Sequence, residues 1–347
     1  MKSKILIIGG GGFIGYYLCK FLFDKCNYDI TLADLHFHRD MSHFSTSDES
    51  QIVKIIRADF TEQSSFDLLD KDFDYVYMLA SVVGVNNTIM DPVSVMKTNS
   101  NLIFNCMEWL ETTEVKKVLF SSTSEVYSCT TQYFDYSIPT DEKVPVSITN
   151  VFDPRYSYAI TKIMGEAAFF HHANKHNYEI TIVRYQNIFG PDMGFKHVIP
   201  HVTERFFNKE QPFRIYGHDQ TRSFCYIDNA VEGTVMMMES EKSSGETFHI
   251  GSTDEITIEK LVRSVGDVMG YSGDYVSAET FPGSVDRRCP NIEKAYKLIG
   301  YSPKIHWTEG LKTSINWYVN YFENNKKSPN DGFIELDSVK TSNLKNY

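Results

Sequence analysis

A glycine-rich turn directly after the first apolar segment is the feature that most constrains the fold of this chain. Residues 5–8 are apolar, and a GxxGxxG pattern follows at Gly9, Gly12 and Gly15. Between a strand and a helix, the first glycine permits a tight turn and the second lets a pyrophosphate approach the helix N-terminus. The third allows the helix to pack closely on the strand. The segment therefore predicts a dinucleotide-binding turn.

An acidic residue beyond the turn indicates which dinucleotide is bound. Asp34 ends the second apolar run, about 20 residues on, where a carboxylate can accept hydrogen bonds from the adenosine ribose. The same carboxylate would repel a 2′-phosphate, and we therefore expect NAD rather than NADP. Arg39, His36 and His38 follow closely and are the residues that leave NADP open as the alternative.

Apolar runs alternate with longer amphipathic segments over the first two-thirds of the chain. The runs are apolar nearly throughout, which is typical of parallel strands covered by helices on both faces. The predicted strands are residues 5–8, 29–33, 52–58, 75–79, 118–121 and 180–184, and the predicted helices include 13–24, 93–111 and 157–176. This alternation predicts an α/β protein with a Rossmann-type doubly wound parallel sheet.

The organisation changes after about residue 190, where prolines and glycines separate shorter elements. We expect residues 1–190 to form the dinucleotide-binding domain and residues 191–325 to form a smaller C-terminal α/β substrate lobe. Residues 128–154 read as a long loop, a length that is often functional in a compact domain. Residues 326–347 are polar and unpatterned, and we expect a poorly ordered tail.

Composition excludes several classes of function. With 34 basic and 45 acidic residues, the net charge is −11, which argues against a nucleic-acid-binding protein with a broad basic face. The six cysteines show no CxxC spacing. No apolar run reaches the roughly 18 residues of a membrane span. We expect a soluble, cytoplasmic protein with reduced thiols and no membrane partner.

Metal binding and cysteine catalysis are not expected. His171 and His172 lie on a predicted helix, but no third ligand stands at a suitable spacing in the sequence. Cys129 and Cys225 have no adjacent basic partner that would activate a thiol. The predicted set of site residues therefore contains no metal ligand.

A Tyr-x-x-x-Lys pair provides the candidate catalytic groups. The chain contains two such pairs, Tyr16 with Lys20 and Tyr158 with Lys162, and the spacing alone carries little weight. Only the second pair has supporting residues elsewhere. Hydroxyl and carboxylate groups occur at residues 121–127, directly after an apolar strand, and open α/β sheets bind ligands at the carboxyl ends of their strands.

Together, these motifs resemble those of the extended short-chain dehydrogenases/reductases, the family of nucleotide-sugar epimerases, dehydratases and decarboxylases. In the N-terminal half of the chain, the motifs that match the family are the glycine turn, Asp34, Asp59, Leu-Ala-Ser at 79–81, Asn99, Ser-Ser-Thr-Ser-Glu-Val-Tyr at 121–127 and Tyr-x-x-x-Lys. In the C-terminal half, the matching motifs are R-x-x-N-x-x-G-P at 184–191, the segment 215–228 and Arg-Arg-Cys-Pro-Asn-Ile at 287–292. The resemblance spans about residues 4 to 320.

The resemblance implies a role for each matching residue. Tyr158 would remove the proton of a sugar hydroxyl, the Lys162 ammonium would favour the phenolate, and Thr123 would orient the sugar. The catalytic candidates are Thr123, Glu125, Tyr158 and Lys162. The implied cofactor-binding residues are Gly9, Gly12, Phe13, Ile14, Gly15, Asp34, Asp59, Phe60, Leu79, Ala80, Ser81, Asn99, Ser121, Tyr158, Lys162 and Tyr185. The implied substrate-binding residues are Ser124, Asn187, Val198, Tyr216, Arg222 and Arg288, the two arginines being suited to a diphosphate.

The reaction remains open among related outcomes. The first hypothesis is NAD-dependent oxidation of a nucleotide sugar at C4 followed by elimination or rearrangement, as in 4,6-dehydratases and uronate decarboxylases. The tripeptide Thr-Ser-Glu at 123–125 resembles the signature sequence of both enzyme groups. The segment 287–292 resembles the decarboxylases, whereas residues 128–154 depart from them. A 4-epimerase or a net 4-oxidase (dehydrogenase) is the alternative, and a non-catalytic NAD-binding sensor is less favoured because the catalytic groups are intact.

The expected partners follow from the same resemblance. They are a nucleotide-diphosphate sugar as substrate and a second copy of the chain, with no nucleic acid. Members of the family commonly pair two helices from each subunit, which here would be residues 93–111 and 157–176. We therefore expect a homodimer.

Overall fold

Seven parallel strands form the central sheet of the computed structural model, which describes residues 2–44, 53–128, 130–134, 136–280 and 285–325. The strands are β1 (Ser3–Ile8), β2 (Tyr28–Asp34), β3 (Val53–Arg57), β4 (Tyr75–Met78), β5 (Lys117–Thr123), β6 (Glu179–Tyr185), β7 (Ile188–Phe189), β8 (Phe213–Tyr216), β9 (Thr221–Ser223), β10 (Cys225–Tyr226), β11 (Glu246–Ile250), β12 (Glu255–Thr257), β13 (Tyr275–Ala278) and β14 (Arg287–Arg288). The large sheet has the order β11-β6-β5-β4-β1-β2-β3, and every neighbouring pair in it is parallel. The predicted α/β class and doubly wound sheet are confirmed.

Helices cover both faces of this sheet. They are α1 (Phe13–Asp24), α2 (Val85–Met90), α3 (Pro92–Leu110), α4 (Thr130–Tyr133), α5 (Ser157–His176), α6 (Val198–Phe207), α7 (Ile227–Glu239), α8 (Ile258–Val268), α9 (Glu293–Ile299) and α10 (Trp307–Asn324). Successive side chains of a strand point to opposite faces. Ile5 and Ile7 of β1 therefore pack in a core with α1 and α7, while Leu6 and Ile8 pack with α3 and α5. None of the helices in the described ranges combines the length and apolar character of a bilayer span.

The observed elements differ from the predicted ones mainly at their ends. Helices α1 and α5 have the predicted bounds, and α3 begins and ends one residue earlier than expected. The predicted start of the third strand, Ile52, and the tail 326–347 lie outside the described residues.

The seventh strand, β11, was not predicted. It follows α7, pairs with β6 at the sheet edge, and buries its last three residues, Phe248, His249 and Ile250. Its sequence, Glu-Thr-Phe-His-Ile, is too polar for the apolar pattern of the other strands. The large sheet therefore takes one strand from the segment assigned to the C-terminal lobe, and the division near residue 190 stays a prediction.

Three smaller sheets follow β6. They consist of β7 with β10, β8 with β13, and β9 with β12 and β14. The parallel pairing of β9 with β14 places Arg222 opposite Arg288. Two arginines that are far apart in the sequence are thereby brought to one place.

Candidate active site

The glycine turn between β1 and α1 has the geometry of an anion-binding turn. Gly9 has a φ of +94°, which favours glycine, and a Cβ there would lie 2.5 Å from the backbone nitrogen of Ala80. At Gly12, a Cβ would meet only the carbonyl oxygen of Gly9, at 3.2 Å. Gly12 also precedes the first turn of α1, which has no side-chain cap. Uncapped N–H groups beside an open glycine can receive a phosphate.

The carboxylate of Asp34 lies beside this turn. Its Oδ2 atom accepts a hydrogen bond from the backbone N–H of Gly11 at 3.0 Å. The nearby Arg39 donates to the carbonyl oxygen of Gly11 at 2.8 Å and forms an ion pair with Asp192, with Nε 2.8 Å from Oδ2. Arg39, the cation that could have accepted a 2′-phosphate, is thus already paired with a carboxylate.

Lys162 lies on the first turns of α5 against the end of β5. Its Nζ donates to the carbonyl oxygen of Ser121 at 2.7 Å, with the Ser121 Oγ at 3.3 Å. The Nζ is also 5.6 Å from the centre of the Tyr158 ring. Burial lowers the pKa of Lys162 to about 7, although Glu166 acts in the opposite direction. This lysine can therefore change its charge near neutral pH.

Tyr158 places its hydroxyl among those of Ser81 and Thr123. Burial is the largest influence and raises the pKa of Tyr158, while hydrogen bonding with Ser81 and Thr123 lowers it and the Glu125 charge raises it further. The phenol is therefore protonated at neutral pH in this environment. The expectation that Lys162 favours the phenolate stays a prediction. The three hydroxyls come from the ends of β4 and β5 and the start of α5.

Glu125 forms an ion pair with Arg288 immediately beyond β5. The Oε1 atom accepts a hydrogen bond from Arg288 Nη1 at 2.5 Å, and the same Nη1 lies 3.4 Å from Ser124 Oγ. Burial alone would raise the pKa of Glu125, but Arg288 and, more weakly, Arg155 lower it to about 2. Glu125 is therefore ionised at neutral pH and has no proton to donate.

Arg222 adds a second cation beside this pair. Its guanidinium donates to the backbone carbonyl of Thr221 at 2.7 Å and to that of Val285. Burial lowers the pKa of Arg222 to about 10, and the neighbouring Arg288 contributes to the shift. Arg222 nevertheless stays protonated at neutral pH. The predicted contact of both arginines with a diphosphate stays a prediction.

Arg155 is the third cation, and the sequence analysis did not identify it. It lies in a short helical turn, Pro154–Tyr156, directly before α5, and its charge acts on both Glu125 and Arg222. Within the described part of the chain, no carboxylate forms an ion pair with Arg155. Its position three residues before Tyr158 was the available signal. The pocket thus brings three arginines near Glu125, an arrangement that attracts anions.

Asn99 and Asp59 hold backbone segments near the cofactor turn. Asn99 of α3 accepts a hydrogen bond from the N–H of Val82 at 2.7 Å and donates to Thr161 Oγ1 at 3.2 Å. Asp59 accepts from the N–H and the hydroxyl of Thr61 at 2.9 and 2.7 Å. Their predicted contacts with the cofactor stay predictions.

Two other predicted cofactor residues direct their side chains into the core. Phe60 is 3% exposed and stacks edge-on against Phe66. The Tyr185 hydroxyl lies 2.8 Å from Thr234 Oγ1 of α7. Both side chains are thus engaged inside the protein, and the predicted contacts of these residues with the cofactor stay predictions. The remaining predicted residues, Phe13, Ile14, Gly15, Leu79 and Ala80, lie in the first turn of α1 and directly after β4.

The predicted substrate residues outside the arginine cluster are spread over three elements. Asn187 follows β6 with a φ of +43° and donates to the carbonyl oxygen of Ser223 at 3.0 Å. Val198 is the first residue of α6, and Tyr216 ends β8 with its ring 5.3 Å from the Arg205 guanidinium carbon. Their predicted contacts with a substrate stay predictions.

Comparisons with known proteins show the family to which this chain belongs. Residues 5–251 match the model of the NAD dependent epimerase/dehydratase family. The chain is 31% identical over 328 residues to a UDP-N-acetyl-alpha-D-glucosaminuronate decarboxylase of Bacillus cytotoxicus, covering 92% of this chain and 98% of that protein. The chain belongs to the NAD-dependent epimerase/dehydratase family. The resemblance to the extended short-chain dehydrogenases/reductases is thereby confirmed.

Two further members of this family are similar over most of their length. A UDP-glucuronic acid decarboxylase 1 of Xenopus tropicalis is 28% identical, with 91% of this chain and 72% of that protein covered. The crystal structure of a UDP-glucuronic acid 4-epimerase from Bacillus cereus, in complex with UDP-glucuronic acid and NAD, superposes with a TM-score of 0.78. It is 25% identical, and the match covers 92% of this chain and all of that one.

The residues present fit the cofactor of the family. The open position at Gly12 and the uncapped start of α1 suit a pyrophosphate, and Asp34 lies beside the turn where a ribose would follow. Lys162 and Tyr158 lie at the carboxyl end of β5, farther along the same sheet edge. The protein is an NAD-dependent enzyme, and the predicted cofactor is confirmed.

Proposed function

We propose that this enzyme removes carbon dioxide from a nucleotide-linked uronic acid after oxidation of the sugar at C4. The observation that carries the proposal is the ion pair of Glu125 with Arg288 next to Thr123 and Tyr158. This ion pair places an ionised carboxylate and a cation beside the hydroxyls of Thr123 and Tyr158, where the sugar would bind. Relatives named as UDP-sugar decarboxylases, 31% and 28% identical to the chain, support the same choice.

The first part of the reaction uses the groups at the ends of β5 and α5. When bound, NAD supplies the oxidising power at C4 of the sugar. Tyr158 accepts the proton of the 4-hydroxyl once it has become a phenolate, which a protonated Lys162 and the cationic nicotinamide of bound NAD would favour, and Thr123 holds that hydroxyl by a hydrogen bond. Lys162, when protonated, stabilises the phenolate electrostatically. The product of this step carries a carbonyl at C4, in the β position to a C6 carboxylate.

The second part uses the arginine cluster. Arg155, which has no carboxylate partner among the described residues, attracts the C6 carboxylate and holds it near C4, while Arg288 stays paired with Glu125. As the C5–C6 bond breaks, its electrons form the C4–C5 enolate, carbon dioxide leaves, and C5 then takes up a proton. Tyr158 finally returns its proton to the C4 oxygen as the hydride comes back to C4, so that the net change is loss of carbon dioxide alone. Dehydration would instead require an acid that protonates the leaving 6-hydroxyl, and Glu125, with a pKa of about 2, is not such an acid. Because an ionised Glu125 could still take the C5 proton of a dehydration, decarboxylation is favoured by the excess of arginines, which suits a C6 carboxylate better than a neutral 6-hydroxyl.

A panel of UDP-linked sugars analysed by mass spectrometry tests the proposal. We expect UDP-glucuronic acid or its N-acetylated amino counterpart to lose the mass of carbon dioxide, while neutral UDP-hexoses are unchanged. Loss of water from a hexose would show a dehydratase instead. A 4-keto acid that keeps its carboxylate would show a net oxidase.

A uronic-acid 4-epimerase is the second candidate. It is favoured by the likeness to the Bacillus cereus epimerase that binds UDP-glucuronic acid, since a cationic pocket can also hold a carboxylate without cleaving it. In the same experiment, an epimerase would give a product of unchanged mass and a new sugar configuration. That outcome would replace the decarboxylase proposal.

We also propose that the enzyme is a homodimer that pairs α3 and α5 of each subunit. Both helices carry a large apolar side chain outside the core, Phe104 at 51% and Phe170 at 38% exposure. Light scattering at micromolar concentration should give twice the chain mass, and a monomeric mass would contradict the pairing.

Two further assignments of this proposal concern the compartment and the lobes. We place the enzyme in the cytoplasm because the five described cysteines (Cys19, Cys26, Cys106, Cys225 and Cys289) are all free.

We assign nucleotide-sugar binding mainly to residues 191–325, which contribute Arg222 and Arg288 to the pocket.

A further inference from the structure

Two histidines near the end of α5 and a glutamate that follows α3 converge on one point. His172 and His176 stand four residues apart on the helix, and their rings stack with centroids 4.2 Å apart. Their Nε2 atoms lie 3.5 and 3.3 Å from Oε1 of Glu111. One ligand atom from each of the three side chains lies within 4.8 Å of the other two. The cluster thus brings one possible ligand atom from each of two imidazoles and a carboxylate close together, and the stacked rings would have to rotate for both Nε2 lone pairs to face one ion.

The two Nε2 atoms of this cluster are buried without a hydrogen-bond partner among the described residues. Buried polar atoms are nearly always satisfied, so an unsatisfied pair aimed at the same carboxylate calls for a ligand. The other nitrogen of His172, Nδ1, lies 2.9 Å from the Tyr178 hydroxyl. When Nδ1–H donates to that oxygen, the lone pair of Nε2 is free to bind a cation, the usual arrangement of a metal-binding histidine.

We propose that Glu111, His172 and His176 bind a zinc ion. In a tetrahedral zinc site with bonds of about 2.0–2.1 Å, the ligand atoms lie roughly 3.4 Å apart. The two Nε2–Oε1 separations match that spacing. Zinc prefers this donor set, and Glu111 is half-exposed, so that water can fill the fourth position.

The position of the cluster assigns the zinc a structural role. Lys162 lies near the opposite end of α5, and ten residues of helix at about 1.5 Å each separate it from His172 by roughly 15 Å. The ion would connect the end of α3 with the end of α5, and it would not reach the reacting sugar. This proposal is therefore independent of the reaction proposed above.

Zinc binding to the metal-free protein tests the site. After chelator treatment and desalting, the full chain is titrated with Zn²⁺ in competition with a chromophoric chelator. We expect one ion per chain, and we expect H176A and E111Q to weaken binding at least tenfold. Y178F should weaken it by about tenfold as well, since partners of a ligating histidine typically contribute 10–100-fold to metal affinity. Co²⁺ in place of zinc should give the visible absorption of a tetrahedral site.

H171A is the matched control, because His171 is an exposed neighbour on the same helix. It should bind zinc as the wild type does. Zinc should also raise the unfolding temperature of the wild type and of H171A but not of H176A. Absence of stoichiometric binding, or equal loss in H171A and H176A, would overturn the proposal. Because E111Q replaces a half-exposed side chain, it tests the site even if a histidine variant fails to fold.

Discussion

The cofactor side and the substrate side of this enzyme are built in different ways. Around the glycine turn, contacts involve mainly backbone groups of segments close in sequence, as between Asp34 and Gly11. On the substrate side, Arg155, Arg222 and Arg288 come from three distant segments and meet around one carboxylate. The cofactor side presents an open backbone turn beside the Asp34 carboxylate, whereas the substrate side presents an excess of positive charge. The glycine turn and Asp34 can therefore be recognised from nearby sequence, whereas the arginine cluster is formed only by the tertiary structure.

The largest expected effect comes from Tyr158, where the two sides meet. Y158F removes the group that accepts the sugar proton, and we expect the chemical step to slow by about 10²–10⁴-fold. NAD affinity should change little. Single-turnover kinetics and cofactor titration measure the two quantities. Y16F, in the other Tyr-x-x-x-Lys pair, is the control and should react normally; normal turnover of Y158F would show that the catalytic pair has been misassigned.

Breaking the Glu125–Arg288 pair should have the next largest effect. R288M removes the cation that is hydrogen-bonded to Glu125, and losing one member of such a pair costs about 2 kcal/mol or more, roughly 30-fold in kcat/KM. Without Arg288, the strongest influence that lowers the pKa of Glu125 is lost, and this pKa rises from about 2 toward its ordinary value. As the pH is lowered, R288M should therefore lose activity at a higher pH than the wild type does, because its Glu125 is protonated sooner.

The neighbouring R287M is the matched control for this variant. Arg287 pairs with Glu255 instead, and its side chain is 52% exposed. We expect its kinetics to be close to wild type. Equal losses in R287M and R288M would mean that the segment tolerates no change and that the ion pair has no specific role.

Arg155 should affect only acidic substrates. Because it has no carboxylate partner within the described residues, R155Q leaves no charge unpaired. We expect KM for a UDP-linked uronic acid to rise about tenfold, the value of one hydrogen bond to a charged group. Binding of a neutral UDP-hexose should be unchanged, and R263Q, which alters an exposed arginine of α8, is the control. An equal rise for acidic and neutral sugars would assign Arg155 to the nucleotide part of the substrate.

The smallest expected effect concerns Asp34 on the cofactor side. D34N keeps an oxygen that can accept from Gly11 but removes the charge. A unit charge at 4 Å is worth about 1 kcal/mol in water, so we expect the preference for NAD over NADP to relax by roughly fivefold. Dissociation constants for the two cofactors measure this. An unchanged preference would show that backbone shape, and not charge, excludes the 2′-phosphate.

The same contrast explains how much of the molecule could be predicted. The strands β1, β2 and β4 to β6 and the helices α1, α3 and α5 were accessible because each has its own apolar pattern. Strand β11 was missed because its alternating polar residues lack that pattern. The glycine turn, Tyr158 and Lys162 were predicted from local motifs. Arg155 is a single arginine at the end of a long loop, and no local pattern separates it from an exposed one.

The residues proposed above as a zinc site bear on the expectation that the chain holds no metal, which stays a prediction. No third ligand stood near His171 and His172 in the sequence, and we therefore expected no metal site. The structure supplies Glu111 from the end of α3 and His176 one helical turn beyond His172. Ligands contributed by two different helices can be recognised only once those helices are packed together.

Carbon dioxide release and solvent labelling, measured together, test the central claim most directly. The enzyme is incubated in D₂O with NAD and a UDP-linked uronic acid whose carboxyl carbon is labelled. We predict one labelled carbon dioxide for each product molecule and one deuterium at C5 of that product, because the enolate takes its proton from solvent. A product that keeps its labelled carboxylate and carries no deuterium at C5 would contradict decarboxylation.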